Sequence, residues 1–180
     1  MANVLDGNFV ADVPNRKWAG DISYIWTAQG WLYLAVILDL HSRRVVGWAV
    51  CDKMKKDLAI QALDLAVRLR NPPEGCIFHS DRGSQYCAYH YQKKWQAYGL
   101  RPSMSGKGNC YDNAPMESFF RSFKAEEVYL NHYGTHEQAT RAVSSYIDRF
   151  YNPHRLHSSL KYLSPMEFEQ LRFPESKVSR

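Results

Sequence analysis

Three acidic residues stand in sequence contexts that suit metal-assisted chemistry on phosphate. Asp21 lies in the apolar stretch WAGDISY, Asp81 follows FHS and precedes RGSQY, and Glu117 lies in DNAPMESFF. Carboxylate oxygens are the ligands that hard cations such as Mg²⁺ take in proteins. Two such cations roughly 3.5 to 4 Å apart activate an oxygen nucleophile and neutralise the charge that develops on a phosphodiester. The three acids therefore predict a phosphoryl-transfer site, provided that the fold brings them together.

Each acid also has an ordinary structural explanation when it is taken alone. Asp21 can be a buried strand residue satisfied by hydrogen bonds, and Asp81 can be a turn residue before Gly83. Glu117 can be an acid that the dipole of a helix favours in the first turn. An acid inside an apolar strand is costly to bury, however, and the three contexts together favour the catalytic interpretation.

The order of predicted elements is that of an α/β domain with a mixed five-stranded sheet flanked by helices. Apolar and β-branched runs predict strands at 18–26, 31–40, 45–50, 76–80 and 100–104, the second of them covered on both faces. Apolar residues at helical spacing predict helices at 55–70, 88–98, from 114 onwards and at 135–151, the last ending before Pro153. A loop at 105–113 precedes the third helix, where Asn113 is expected to cap the free amides and Pro115 suits the first turn.

The acids and their surroundings resemble a known family. Residues 82–116, which number 35, separate Asp81 from Glu117, and this is the D,D-35-E spacing of the transposase and retroviral integrase superfamily. The phrases HSDRGSQY, DNAPMESFF, GWLYLAVILDLHSRRVVGWAV and YNPHRLHSSLKYLSP are similar to those of bacterial transposases of the third insertion-sequence family. The resemblance covers nearly the whole chain.

The resemblance implies a ribonuclease H-like fold in which Asp21, Asp81 and Glu117 hold two Mg²⁺ ions, with Mn²⁺ as a substitute. It implies nicking of DNA at insertion-sequence ends, followed by attack of the freed 3′-hydroxyl on another strand. Two alternatives remain open. One is a ribonuclease H-like nuclease that only hydrolyses, and the other is a non-catalytic DNA-binding module descended from a transposase.

Basic residues near the acids are candidates for DNA contact. Glu117, Arg121 and Lys124 share one face of the predicted helix, so the two cations can meet a phosphate backbone beside the acid. The alternative is an intrahelical salt bridge from Glu117 to Arg121, which contributes little. Lys107, in a glycine-containing loop, and Arg82, next to Asp81, are further candidates, although each is also an ordinary surface cation.

Other polar residues have structural explanations. His79 shares a strand face with Asp81, where it can orient that acid, but a packed strand histidine is the favoured interpretation. Asp39 is expected to support the turn after the second strand. Arg155, His157 and Ser158 belong to a tail motif for which the sequence indicates no chemical role.

The overall composition suits a DNA-binding protein. The 180 residues carry a formal net charge of +5 with a pI near 9.0, which favours an anionic partner. We expect a leader at 1–17, a catalytic core at 18–152 and a tail segment at 153–180. The absence of a signal peptide and of cysteine pairs predicts a cytoplasmic protein with reduced thiols, and the longest apolar run, at 31–38, is too short to span a membrane. The family resemblance implies a nucleoid-associated protein that assembles as homo-oligomers on insertion-sequence ends and target DNA. Similar transposases carry helix-turn-helix segments upstream, so the sequence is expected to correspond to the catalytic part.

Overall fold

The centre of the fold is a five-stranded mixed sheet. The structure is a computed structural model, and it describes residues 2–53, 56–81, 86, 89–105 and 113–172. The strands pair in the order β3-β2-β1-β4-β5. β1 runs antiparallel to β2, and β2 antiparallel to β3, whereas β1 and β4 are parallel, as are β4 and β5. The strand bounds are β1 Lys17–Thr27, β2 Gly30–Asp39, β3 Val45–Cys51, β4 Ile77–Ser80 and β5 Arg101–Met104. The predicted fold class is confirmed.

Helices cover both faces of this sheet. Their bounds are α1 Lys56–Arg70, α2 Tyr89–Ala97, α3 Ala114–Glu126, α4 His136–Ser144, α5 Asn152–His154 and α6 Pro165–Arg172. The predicted end before Pro153 is wrong, because a π-helical turn at Ser145–Tyr151 carries the helical path from α4 into α5. Proline is tolerated there because it stands in the first turn of α5, where its missing N–H costs no hydrogen bond.

Each face of the sheet has its own hydrophobic core. Leu34, Val36 and Leu38 of β2 point to one face and pack with the phenylalanines of α3. Ala35 and Ile37 point to the other face and pack with α1 and α2. Consecutive residues of a strand point to opposite faces, so a strand buried on both sides is apolar throughout. The prediction that this strand is covered on both faces is confirmed.

Gly47 sets the distance between β3 and α1. A Cβ atom at this position would lie 2.3 Å from the carbonyl oxygen of Ala62 and 2.8 Å from the Cβ of Ala66. Small residues on both elements therefore allow the helix to lie directly on the strand.

The two ends of the described chain pack against this central unit. The amides of Val4 and Leu5 donate to the Ser103 hydroxyl at 2.9 and 3.3 Å, and the side chain of Leu5 is buried. At the other end, the Glu169 carboxylate of α6 accepts a hydrogen bond of 2.7 Å from the Ser42 hydroxyl. In the described part of the chain, no helix is both long and apolar enough to span a bilayer.

Candidate active site

Asp21 lies on the central strand and is half-buried. Its Oδ1 accepts the amide N–H of Ile22 at 2.8 Å. Burial raises the pKa of Asp21 to about 7, with the Ile22 amide opposing this rise and the charges of Asp81 and Glu117 adding to it. The carboxylates of Asp81 and Glu117, from two other elements, are therefore close enough for their charges to act on Asp21.

The sheet register explains why Asp81 lies beside Asp21. Gly20 of β1 is paired with Ser80 of β4, and the two strands are parallel, so each aspartate follows directly after a paired residue. Neighbouring strands lie about 4.8 Å apart, which places the two backbones side by side at this point. By strand alternation Asp21 points to the same face as Ala19, which packs in the core beneath α3.

Glu117 is supplied by the first turn of α3 and is exposed. The opposite side of this helix buries Met116, Phe119, Phe120 and Phe123, which anchor α3 over the sheet. The predicted apolar stripe is confirmed. It fixes the rotation of the helix so that Glu117 stays on the solvent side of the acid pair.

The start of α3 differs in part from the sequence prediction. Pro115 is in the first turn, as predicted, but the Asn113 side chain makes no capping hydrogen bond. Its Oδ1 is buried and has no hydrogen-bond partner. The backbone of Asn113, with φ −134° and ψ 29°, is not in the extended conformation that lets an N-cap side chain reach the helix amides.

The three carboxylates suit a hard divalent cation, although their side chains are not arranged as a complete metal-binding site. No three carboxylate, imidazole or thiol side chains of the described residues are close enough to hold one ion. Carboxylate oxygens are nevertheless the preferred ligands of Mg²⁺. Asp21 and Asp81 are held by the sheet, while the exposed Glu117 side chain is free to change rotamer toward them.

Of the predicted DNA contacts that the structure describes, Lys124 is the one whose charge acts on Asp21. Its charge lowers the pKa of Asp21, and its Nζ lies 5.0 Å from the centroid of the Tyr24 ring. Arg121 is exposed one turn away. Glu117 and Arg121, both in the described part of α3, form no ion pair, so the intrahelical salt bridge is not observed. The other two candidates, Arg82 and Lys107, lie outside the described residues.

Sequence reasoning missed an aromatic groove beside Lys124. Tyr24, Trp26 and Trp31 are each about half exposed. The Trp31 ring packs edge-on against the other two rings, with centroid-to-centroid distances of 4.9 Å to Tyr24 and 4.8 Å to Trp26. Together with Tyr129 they line a groove of about 630 Å³. Aromatic residues are typical of strands in general, so the sequence alone does not separate these three from aromatic residues of the core. Only their exposure at the end of the hairpin does so.

His79 and Asp39 have the structural roles that were favoured. His79 is fully buried, with Nδ1 2.9 Å from the Ser103 hydroxyl, as expected of a packed strand histidine. Asp39 accepts the amides of Asn15 and His41 at 2.7 and 2.9 Å and so supports the turn after β2. Burial raises the pKa of Asp39, while these amides and Arg70 oppose the rise.

The tail motif acquires a structural role. Arg155 binds the Glu126 carboxylate through Nε and Nη2, and it also donates to the Ser122 hydroxyl at 3.1 Å. The Tyr146 hydroxyl donates to the same carboxylate at 2.6 Å. The tail segment is thereby tied to the helix that carries Glu117.

A mixed sheet of this order, with Asp21 on β1, Asp81 after β4 and Glu117 on the helix packed against the sheet, matches the class of integrase catalytic cores, and the comparisons with known proteins agree. The chain belongs to the integrase core domain family, whose model matches residues 11–110, and a second integrase core domain model matches residues 117–173. The family resemblance of the sequence is confirmed.

Among curated proteins, the chain is 48% identical over 167 residues to the transposase InsF for insertion sequence IS3A of Escherichia coli K12, a match that covers 93% of this chain and 58% of that protein. It is 45% identical over 168 residues to the insertion element IS600 uncharacterized 31 kDa protein of Shigella sonnei, with 93% and 62% covered. The chain thus spans about three fifths of the length of these relatives.

Solved structures with the same fold are retroviral. The chain in a simian T-cell lymphotropic virus intasome in complex with PP2A regulatory subunit B56 gamma matches with a TM-score of 0.72 at 16% identity, covering 94% of this chain and 58% of that one. The HTLV-2 integrase catalytic core domain in complex with magnesium, in its trimeric form, matches with a TM-score of 0.64 at 16% identity, covering 88% and 99%. The ribonuclease H-like integrase fold is therefore confirmed.

Proposed function

We propose that this chain is the catalytic domain of a metal-dependent DNA transposase, which nicks a strand at an insertion-sequence end and joins the freed 3′-hydroxyl to another strand. One observation carries the proposal: the parallel pairing of β1 with β4 sets Asp21 and Asp81 side by side, and α3, which packs over the same face of the sheet, supplies Glu117. The transposase relatives support the same conclusion.

The three acids are the proposed metal ligands, for two Mg²⁺ ions or for Mn²⁺ in their place. When bound, the metal would lower the pKa of a water or a DNA 3′-hydroxyl and offset negative charge on the leaving oxygen. Each transfer forms one phosphorus–oxygen bond and breaks one, with the proton of the attacking hydroxyl leaving to solvent, so no energy-supplying cofactor is needed.

The cations of α3 would position the substrate. Lys124 and Arg121 project from the same side of the helix as Glu117, where a phosphate backbone crossing the acids would meet them. Lys107 and Arg82 remain candidates for the same role. The proposed partners are insertion-sequence ends, target DNA and further copies of this chain assembled on DNA. The net charge of +5 supports an anionic partner.

The decisive experiment measures strand nicking and strand joining on a labelled DNA duplex with Mg²⁺ or Mn²⁺. Wild type is compared with Asp81→Asn and Glu117→Gln, and with the matched surface variants Asp57→Asn and Glu137→Gln, whose side chains are exposed on α1 and α4. Metal-dependent joining that is lost only in the first two variants is the expected result. A loss of at least a thousandfold is reasonable, since the metal ligands act as a unit.

The other outcomes separate the alternatives. Hydrolysis without joining would identify a nuclease, and DNA binding without either reaction would identify a DNA-binding module. Activity that survives both acid substitutions would eliminate the proposed site. Calorimetric titration with Mg²⁺ or Mn²⁺ on the same five proteins tests the metal ligands independently of turnover.

A further inference from the structure

A second cavity lies on the flank of α3, away from the three acids. It has a volume of about 270 Å³. Ser118 and Ser122, four residues apart, line it from one side of the helix, roughly 100° around the axis from Glu117. The residues with polar side chains at its wall are four with hydroxyls, two with guanidinium groups and one with an imidazole, namely Ser118, Ser122, Ser159, Tyr151, Arg43, Arg155 and His157.

Arg43 is the unusual member of this set. Its Nη1 is buried and has no hydrogen-bond partner, and Arg43 forms no ion pair with any acid among the described residues. Burial lowers the pKa of Arg43, an effect that Tyr151 and Asp39 oppose. A buried N–H group of a charged donor that makes no hydrogen bond costs about 1 to 3 kcal/mol, a cost that an anionic ligand at this position would offset.

The backbone of Arg43 is also in an unfavourable conformation. Its φ of 61° is in the left-handed region, which costs a non-glycine residue roughly 1 kcal/mol or more. The surrounding structure holds this conformation, because the Arg43 amide donates to the Asp39 carbonyl at 2.8 Å and its own carbonyl accepts the Tyr151 hydroxyl at 2.9 Å. These two hydrogen bonds fix the backbone of Arg43, whose unpaired guanidinium lies at the wall of the cavity.

The neighbours of Arg43 leave its charge unbalanced. The charge of Arg155 is already offset by Glu126, which accepts two of its hydrogen bonds. Burial, with Arg155 and Arg43 adding to the effect, lowers the pKa of His157 to about 4, so the imidazole is neutral at pH 7. Its Nε2 is buried and unpartnered. No carboxylate lines the cavity in the described part of the chain.

The start of α3 adds a favourable electrostatic contribution. Ala114 and Pro115, in the first turn, line the cavity. The N-terminus of a helix carries a partial positive charge that attracts anions, and here the Asn113 side chain does not cap the amides.

We propose that this cavity binds one phosphate group, with Arg43 as its counter-ion and the hydroxyls of Ser118 and Ser122 as hydrogen-bond donors. The volume equals that of roughly nine liquid water molecules at about 30 Å³ each, which accommodates a phosphate and part of an attached sugar. The phosphate belongs either to a DNA strand that passes around α3 or to a small phosphorylated molecule. The site is separate from the acids and needs no metal.

The test titrates inorganic phosphate into wild-type protein and Arg43→Gln, followed by calorimetry and by thermal unfolding at constant ionic strength. Arg141→Gln is the matched control, because the Arg141 side chain is 78% exposed on α4 and outside the cavity. We expect Arg43→Gln to bind phosphate roughly tenfold more weakly or worse, since a charge-assisted hydrogen bond is lost. Arg141→Gln should bind like wild type.

A second measurement distinguishes a ligand site from a merely structural arginine. Without phosphate, Arg43→Gln should unfold at the same temperature as wild type or higher, because the substitution removes a charged group whose buried Nη1 makes no hydrogen bond. Failure of wild type to bind phosphate, unchanged binding by Arg43→Gln, or a lower unfolding temperature of phosphate-free Arg43→Gln would each overturn the proposal.

Competition with DNA identifies the source of the phosphate. If a bound duplex blocks phosphate binding in wild type and Arg43→Gln weakens duplex binding, the site holds a DNA phosphodiester. If phosphate still binds to the DNA complex, the site holds a small phosphorylated molecule. Asp81→Asn should retain phosphate binding at this cavity, so the result is independent of whether the acid site is catalytic.

Discussion

The Arg155 guanidinium donates to both oxygens of the Glu126 carboxylate, with Nη2 2.6 Å from Oε1 and Nε 2.8 Å from Oε2. Glu126 ends α3, and Arg155 begins the tail segment that follows α5. Hydrogen bonds from Arg155 lower the pKa of Glu126, and the same bonds raise the pKa of Arg155. The pair therefore fastens the tail to the helix that supplies Glu117.

A double-mutant cycle with Arg155→Gln and Glu126→Gln measures this connection. Bidentate charged pairs are stronger than ordinary surface pairs, and this one is only partly exposed, so we expect a coupling free energy of about 1 to 2 kcal/mol in urea unfolding. The exposed pair Glu137 and Arg141, one helical turn apart on α4, is the control and should couple by about 0.3 to 0.5 kcal/mol. Equal coupling in both cycles would show that Arg155 does not hold the tail.

Glu169 should be the most sensitive acid for stability. Its carboxylate accepts bonds from Ser42 at 2.7 Å, from Arg44 at 2.9 Å and from Arg70 at 2.8 and 3.0 Å. Burial opposes its ionisation, but the bonds and charge of Arg70 outweigh this effect, and the pKa of Glu169 lies below its ordinary value. Glu169→Gln leaves Arg44 without its anion and Arg70 with only the longer contact to Asp39, so the free energy of unfolding should fall by about 3 kcal/mol.

Urea unfolding of Glu169→Gln and of the exposed Glu137→Gln separates this effect from a general response to losing a carboxylate. The control should change stability by no more than about 0.5 kcal/mol. If Glu169→Gln changes the free energy of unfolding as little as the control does, the contacts between α6, the turn after β2 and α1 contribute little to stability.

The sequence predicted the sheet well because its strands depend on local patterns. The run at Trp31 to Leu40 is apolar at every position that the two cores bury, and Asp21 interrupts an otherwise apolar strand. The cavity around Arg43 could not be predicted in this way. Its wall combines the turn after β2, the first turns of α3 and the tail segment, which are far apart in the sequence. The sequence Ser42-Arg43-Arg44 also does not show which of the two arginines is left without a partner.

Local propensity also failed at the start and middle of helices. Asn113 has the residue type of a cap, but its φ of −134° and ψ of 29° lie outside the extended region that a capping residue adopts. The π-helical turn at Ser145–Tyr151 was missed because an apolar period of three to four residues does not distinguish an α-helix from one with a single widened turn.

His157 should give stability a distinct pH dependence. Its folded pKa is lowered to about 4 by burial and by the charges of Arg155 and Arg43, with Glu126 opposing, whereas the ordinary value is 6.5. Between these values the unfolded chain binds a proton that the folded chain does not, so stability is full above pH 6.5 and is lost as the pH falls toward 4. The loss should be about 1 to 2 kcal/mol, less than the full shift implies, because the ring is partly exposed.

Urea unfolding at pH 7.5 and 4.5, approximate values chosen to lie on either side of this titration, tests the effect. His157→Gln should lose less stability than wild type over this interval, while the control His132→Gln, which removes an exposed histidine, should follow wild type. An identical pH dependence in wild type and His157→Gln would mean that the imidazole protonates freely in the folded protein.

Lys124 should contribute one phosphate contact to DNA binding. It stands seven residues after Glu117 on α3, with its Nζ over the Tyr24 ring, and its charge lowers the pKa of Asp21. Lys124→Gln should weaken binding about equally for different DNA sequences and reduce the slope of log affinity against log salt by about 1. Lys93→Gln, which removes an exposed cation from α2, should leave that slope nearly unchanged. An unaltered slope for Lys124→Gln would place DNA away from this face of α3, and with it away from the acids.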